Sequence, residues 1–211
     1  MKKLLILLAS LAVLIVGCSA TLNPKSQLKT TTATVQTQVQ QEQDALKTIG
    51  STVNAFPSAF EKAYQGNPQT DLKRKWPCQK LLDRRAAAFK SLEAANSALV
   101  GANNTLTKLN NQPSEDTPQT QLNNVLTSLK LAKLDHKTLV SYYREMLTAE
   151  DTFFSTTADS DTSQDDLESQ ISQLNQYYSS LNQQIDVMTA NLTTVTSQTD
   201  KLAKAIKSMR D

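Results

Sequence analysis

The sequence predicts an all-α fold: an elongated antiparallel helical bundle with coiled-coil-like seams and a very long C-terminal helix. Three observations carry this expectation. Apolar residues recur in alternating steps of four and three along most of the chain, the spacing of one helix face packed against partner helices. Only Gly50, Gly66 and Gly101 lie beyond residue 17, too few for tight-turned sheets or phosphate-cradling loops. Prolines and short polar runs interrupt the periodic stretches at intervals of a few tens of residues.

In chain order, Lys2 and Lys3 precede an apolar run from Leu4 to Val16. A bilayer core needs ~20 residues of helix, so this shorter run reads as the hydrophobic region of a signal peptide, residues 1–17. Ile15-Val16-Gly17-Cys18 has the pattern of a bacterial lipobox. Its small residues let a peptidase reach the backbone, and the Cys18 thiol accepts diacylglycerol. Two acyl chains at ~0.8 kcal/mol per buried methylene hold a protein firmly at a membrane. The expected location is the extracytoplasmic face of the cell membrane, with residues 18–31, rich in Ser, Thr and Lys, as a lipidated tether.

A single helical domain is expected over 32–211. Val35, Val39, Glu42, Leu46, Ile49, Val53 and Phe56 form the first seam, which Pro57 is expected to end. Glu42 would there meet a basic neighbour or mark register. Residues 57–77 read as an insertion, with Gln69–Lys75 a polar, basic loop. Pro77 suits the first turn of the second helix, whose seam is Ala88, Leu92, Ala95, Leu99, Ala102, Leu106 and Leu109.

Residues 112–118 form a turn, with Thr117 a candidate N-cap. The third helix uses Leu122, Val125, Leu129, Ala132, His136, Leu139, Tyr143, Met146 and Phe153. Residues 158–163 break it, and Ser163 can cap the fourth helix, with Asp165, Asp166 and Glu168 favoured by its N-terminal dipole. The fourth seam runs from Leu167 through Ile171, Leu174, Tyr178 and Leu181 to Met209, a helix of about 70 Å.

Symmetric hairpins predict the pairing. Across the turn near 115, Leu109 faces Leu122, Leu99 faces Ala132 and Ala95 faces His136. Across the turn near 160, Phe153 faces Leu167 and Val125 faces Val195. Up-down connectivity puts the tether and the 112–118 turn at the membrane end. The distal tip then gathers Tyr64, Trp76, Phe153, Phe154 and the basic residues Lys73, Arg74 and Lys75.

Composition limits the chemistry. Without residues 1–17 the 22 Lys and Arg become 20, matching 20 Asp and Glu, so the net charge encodes no long-range attraction to nucleic acid or to anionic wall polymers. His136 is the one histidine, on an apolar face, and reads as a core polar residue. Cys78 lies on a different helix with no nucleophile scaffold around it. A di-iron bundle would need Glu-x-x-His, but position 133 is Lys. Asp159–Ser163 opens like a calcium loop, yet Gln164 and Gln170 stand where Gly and Glu are needed. No metal or cofactor is expected, and the protein reads as a non-enzyme.

The candidate binding residues are Lys73, Arg74, Lys75 and Trp76 at the tip, within a basic cluster that includes Lys80, Arg84 and Arg85. Such a cluster suits anionic wall polymer or lipid headgroups, but a solvated face, or pairing with Asp159, Asp161, Asp165 and Asp166, is the commoner reading of such a run. The alternative function is an accessory scaffold that grips another envelope protein through off-seam residues such as Leu82, Leu126, Leu147 and Val187.

The lipobox, the aromatic third helix (Tyr142-Tyr143-Arg144, Asp151, Phe153-Phe154) and Leu174-Asn175-x-x-Tyr178 early in the last helix form a combination. It resembles the YkyA-like cell-wall-binding lipoproteins of Gram-positive bacteria, mainly over the C-terminal half. The resemblance implies attachment outside the cell and a role at the wall, and it brings no catalytic residues.

Overall fold

The computed structural model describes residues 23–66, 72–74, 77–158 and 163–209. Residues 1–17, read above as a signal peptide, and Cys18, Lys75 and Trp76 lie outside them. Four α-helices follow in order: α1 (Pro24–Gly66), α2 (Cys78–Asn111), α3 (Gln119–Thr157) and α4 (Gln164–Lys207), with a 3-10 turn at Leu72–Arg74 before α2. The bundle is antiparallel. The longest helix, α4, spans about 65 Å. Helix α1 lies along α2 and α4, and α3 lies along α4 and, more loosely, α2.

The seams form the core as their spacing requires. Every first-seam residue from Val35 to Phe56 is buried, as are Ala88 to Leu106 on α2 and Leu174 to Met209 on α4. Each Leu, Ile or Val removed from water contributes ~1.5–3 kcal/mol, and the repetition of that gain holds helices this long together. Thr199 sits in the α4 seam without cost to its hydroxyl, which donates to the Val195 carbonyl (2.6 Å).

Two boundaries differ from expectation. Helix α1 begins at Pro24, so residues 24–31 are helical instead of tether, with Leu28 fully buried one repeat before Val35. Pro57 does not end α1. The four-three seam continues past it through Phe60 and Ala63, and their burial outweighs the lost N–H and the crowding at the Val53 carbonyl. Pro57 itself is exposed, so that carbonyl can turn to water. Within the 57–77 segment residues 57–66 are helical, and Leu72 of the 3-10 turn is buried.

Helix caps follow local chemistry. Ser163 caps α4 through a capping box: its Oγ accepts from the Asp166 N–H (3.2 Å), and the Asp166 carboxylate accepts from the Ser163 N–H (3.4 Å). Thr117 does not cap α3. Its hydroxyl accepts from the Ser114 N–H (2.9 Å), inside the turn, and Pro118 occupies the cap position.

Pairing between α2 and α3 follows the symmetric hairpin: Asn110 donates to Asn123 (2.9 Å), and Glu93 meets His136 (3.0 Å). Pairing between α3 and α4 is displaced by one heptad. Asn191 donates to Asp135 (2.6 Å), Tyr178 donates to Glu150 (2.5 Å), and Phe153 shares a groove with Leu174, not Leu167. A slip of seven residues keeps every seam facing inward, so apolar spacing could not distinguish the two registers.

The displaced register is open to cross-linking in a Cys78→Ala background. An Ala149→Cys/Tyr177→Cys pair, which borders one groove, should couple through a short bis-maleimide. Ala149→Cys/Ile171→Cys, the pair of the symmetric register, should not, as read by mass spectrometry.

Candidate functional site

Two seam positions without an apolar residue are what the sequence reading missed. One step back from Ala88 the α2 seam lands on Arg85, and between Met146 and Phe153 the α3 seam holds Glu150. Both are buried, at 1% and 3% exposure. Arg85 Nη2 and Glu150 Oε2 form an ion pair in the core, and the Tyr178 hydroxyl donates to Glu150 Oε1. Burial works against the Arg85 charge, but the Glu150 carboxylate more than offsets it and raises the guanidinium above its ordinary pKa. Burial, reinforced by the Glu150 charge, also raises the Tyr178 hydroxyl, so it stays a donor.

Around this pair the distal end is packed with rings. Phe56, Phe60, Phe153, Phe154 and Tyr178 meet mostly edge to face, with centroids 4.8 Å (Phe60–Phe153) to 6.2 Å (Phe56–Phe153) apart. Phe153 and Phe154, expected at a binding tip, are therefore buried packing. Tyr64 remains exposed, stacked on Phe60 at 5.7 Å.

Cys78 and His136 do not form a nucleophilic pair. Cys78 is buried, and burial, then the Glu150 charge, pushes its thiol up to about 11, far from a thiolate. His136 belongs with Glu93, fifteen residues or about 22 Å further along α2. Glu42, from the first seam, faces it at 3.7 Å and finds no Lys or Arg there. Burial, then the Glu93 charge, pushes the Glu42 carboxyl up to about 8, while burial lowers His136 despite Glu93. The pair is neutral at pH 7, which suits its place in the core. Among the described residues no three His, Cys, Asp or Glu are arranged to hold a metal ion, and no helix is long and apolar enough to cross a membrane.

The basic cluster read from the sequence separates in space. Arg85 is in the core. Lys73 pairs with Asp151 at 2.5 Å, both exposed, and Arg74 is also engaged. Lys80 and Arg84 remain, one turn apart on α2, and Lys62 of α1 joins them along a groove of about 340 Å³. Ser51 and Ser58 line it too, and no carboxylate does. None of the three cations has an ion-pair partner among the described residues. The volume falls within the ~300–1,000 Å³ of ligand pockets. Its chemistry is that of an oxyanion site, with Arg84 able to engage two oxygens at once.

Residues 73–205, from the 3-10 turn through most of α4, match the model of the YkyA family, described as “putative cell-wall binding lipoprotein”. The chain belongs to the YkyA family. The match takes in α2, α3 and most of α4, more than the C-terminal half on which the resemblance rested, and leaves α1 outside. No curated protein and no solved structure matches the chain.

Two measurements follow. Removing one partner of the core pair, by Arg85→Ala or Glu150→Ala, should cost about 3–5 kcal/mol in urea unfolding followed by circular dichroism. The double change Arg85→Met/Glu150→Leu should cost much less than the two summed. Because the folded-state pKa of Glu42 is raised from 4.5 to about 8, its contribution to stability falls as pH rises through that window. Glu42→Gln should therefore melt well above the parent at pH 8.5, with the gap closing towards pH 5.

Proposed function

We propose that the protein is a non-enzymatic lipoprotein, held at the outer face of the cell membrane by lipid on Cys18, that contacts the cell wall through its distal end. The observation that carries this reading is the α1–α2 groove. Lys62, Lys80 and Arg84 line it without a carboxylate, at the end of the bundle remote from the start of α1. Membership of a family described as wall-binding supports the same reading.

The mechanism is binding, not turnover. Oxyanions of a wall polymer would replace water around three fixed cations, with the Ser58 hydroxyl free to donate. Lys73, Arg74, Lys75 and Trp76 are proposed as further contacts for the polymer. Lys73 contributes less than its charge suggests because Asp151 already engages it. Exposed charge pairs contribute about 0.2–1 kcal/mol each, so affinity must come from repetition along a polymer.

A second reading is favoured by one observation. Leu147 and Val187 are exposed as that reading requires, at 38% and 46%, as are Leu131 and Leu134, neighbours on the outer face of α3, at 48% and 55%, whereas Leu82 and Leu126 are half-buried against the core. A scaffold that grips another envelope protein would use the four exposed residues.

Residues 19–211 should co-sediment saturably with purified sacculi, less so after removal of their anionic polymers or in high salt. Lys62→Gln/Lys80→Gln/Arg84→Gln should weaken this about tenfold or more, and Lys73→Gln/Arg74→Gln/Lys75→Gln should weaken it less. Binding that ignores both salt and the groove substitutions would remove the wall reading and leave the scaffold.

A further inference from the structure

The end of the bundle where α1 starts and α4 finishes carries a second groove, of about 510 Å³, between those two helices. Lys25 and Lys29 of α1 and Lys204 and Lys207 of α4 border it. Its floor is apolar, formed by Ala33, Ala203 and the buried Ile206. One carboxylate, Asp200, lies along it and accepts from Gln36 Nε2 (2.7 Å). Lys25 Nζ donates to the Met209 carbonyl (2.6 Å), tying the two helix ends together. Lys29, Lys204 and Lys207 have no partner among the described residues.

Local helix electrostatics account for only half of these charges. Lys204 and Lys207 complement the negative C-terminal end of α4. Lys25, in the first turn of α1, is held by the Met209 carbonyl and is engaged further. Lys29, one turn on, has no such complement, and an external anion would supply one.

We propose that this end is a membrane-docking surface, in which Lys29, Lys204 and Lys207, with Lys25 holding the two helix ends together beside them, engage the phosphate headgroups of anionic phospholipids. The position of the chain's start selects a membrane over other anions. With α1 beginning at Pro24, only four residues lie between Cys18 and Asn23, five steps that reach about 17 Å when extended. The four lysines lie within the first two turns of α1 and the last two of α4, so a lipid on Cys18 would press them to the headgroups. The apolar floor and the lysine stems suit the headgroup boundary, where an amphipathic surface settles with its cations in the phosphate layer. Anchoring by lipid alone leaves the rod free to tilt; a lysine collar at its base sets it upright.

The inference rests on the membrane-anchoring part of the proposed function, and its test keeps the two apart. Residues 19–211 include every core residue of the bundle, Leu28 to Met209, and carry no acyl chain when made in the cytoplasm. They should sediment with vesicles of phosphatidylglycerol and phosphatidylcholine, and not with phosphatidylcholine alone, at low salt. Each lysine near an anionic surface contributes a factor of about 5 to partitioning, so Lys29→Gln/Lys204→Gln/Lys207→Gln should bind roughly 100-fold more weakly. Lys25 is kept in that variant because it ties α1 to α4. The distal variant Lys62→Gln/Lys80→Gln/Arg84→Gln should bind vesicles like the parent. Equal binding to both vesicle types, an undiminished triple variant, or an equal loss in the distal variant would each overturn the proposal. Mass spectrometry of the N-terminal peptide from the membrane fraction separately decides whether Cys18 is acylated.

Discussion

A four-three apolar seam holds four long helices together, but it is indifferent to a slide of seven residues, because every seam position is then replaced by another. Something other than hydrophobic burial must choose the register, and here the choice falls to the carboxylate of Glu150. Buried on α3, it requires both the Arg85 guanidinium from α2 and the Tyr178 hydroxyl from α4. Slide α4 by one heptad and Ile171 would stand where Tyr178 does, leaving a buried oxygen without its donor. An unpaired buried charge costs more than several apolar contacts can return. Asn191 and Asp135 enforce the same register two heptads further along. The placement of the distal aromatic cluster, and of the α1–α2 groove beside it, depends on that choice.

The fold class, the number of helices and nearly all core residues were legible in the sequence because burial on a helix repeats with a known period. The three departures have one origin: a local signal overruled by a distant one. Pro57 reads as a stop until Phe60 and Ala63 are seen to be needed in the core. Residues 24–31 read as tether by composition, yet Leu28 alone anchors another turn of helix. The register across α3 and α4 needed Glu150 to be recognised as a seam residue. The signal was present: Arg85 and Glu150 each fall on the four-three spacing, carry opposite charge, and lie on neighbouring helices. The candidate site was legible only in kind. Six cations close in sequence do not reveal which are committed to the core or to a carboxylate, and Lys62, which completes the groove, comes from α1, well away from that run.

The arrangement that emerges has a polarity that net charge hides. A chain formally balanced once residues 1–17 are removed still carries three cations near each end of a rod about 65 Å long, Lys29, Lys204 and Lys207 at one and Lys62, Lys80 and Arg84 at the other, that have no ion-pair partner among the described residues. One set borders an apolar-floored groove next to the start of α1, and the other borders an oxyanion groove at the opposite end. The middle is spent on packing, with His136, Glu42 and Glu93 forming a largely buried polar layer rather than a reacting centre. Two cationic ends on one rod are what the proposed membrane-to-wall spacer would need.

That geometry can be measured directly by neutron reflectometry of the lipidated protein on a supported bilayer containing phosphatidylglycerol. A rod standing on the end where α1 starts gives a protein layer about 60–70 Å thick. A layer of about 20–25 Å, two helix diameters, would mean that the bundle lies flat. Its two ends could not then serve membrane and wall at once.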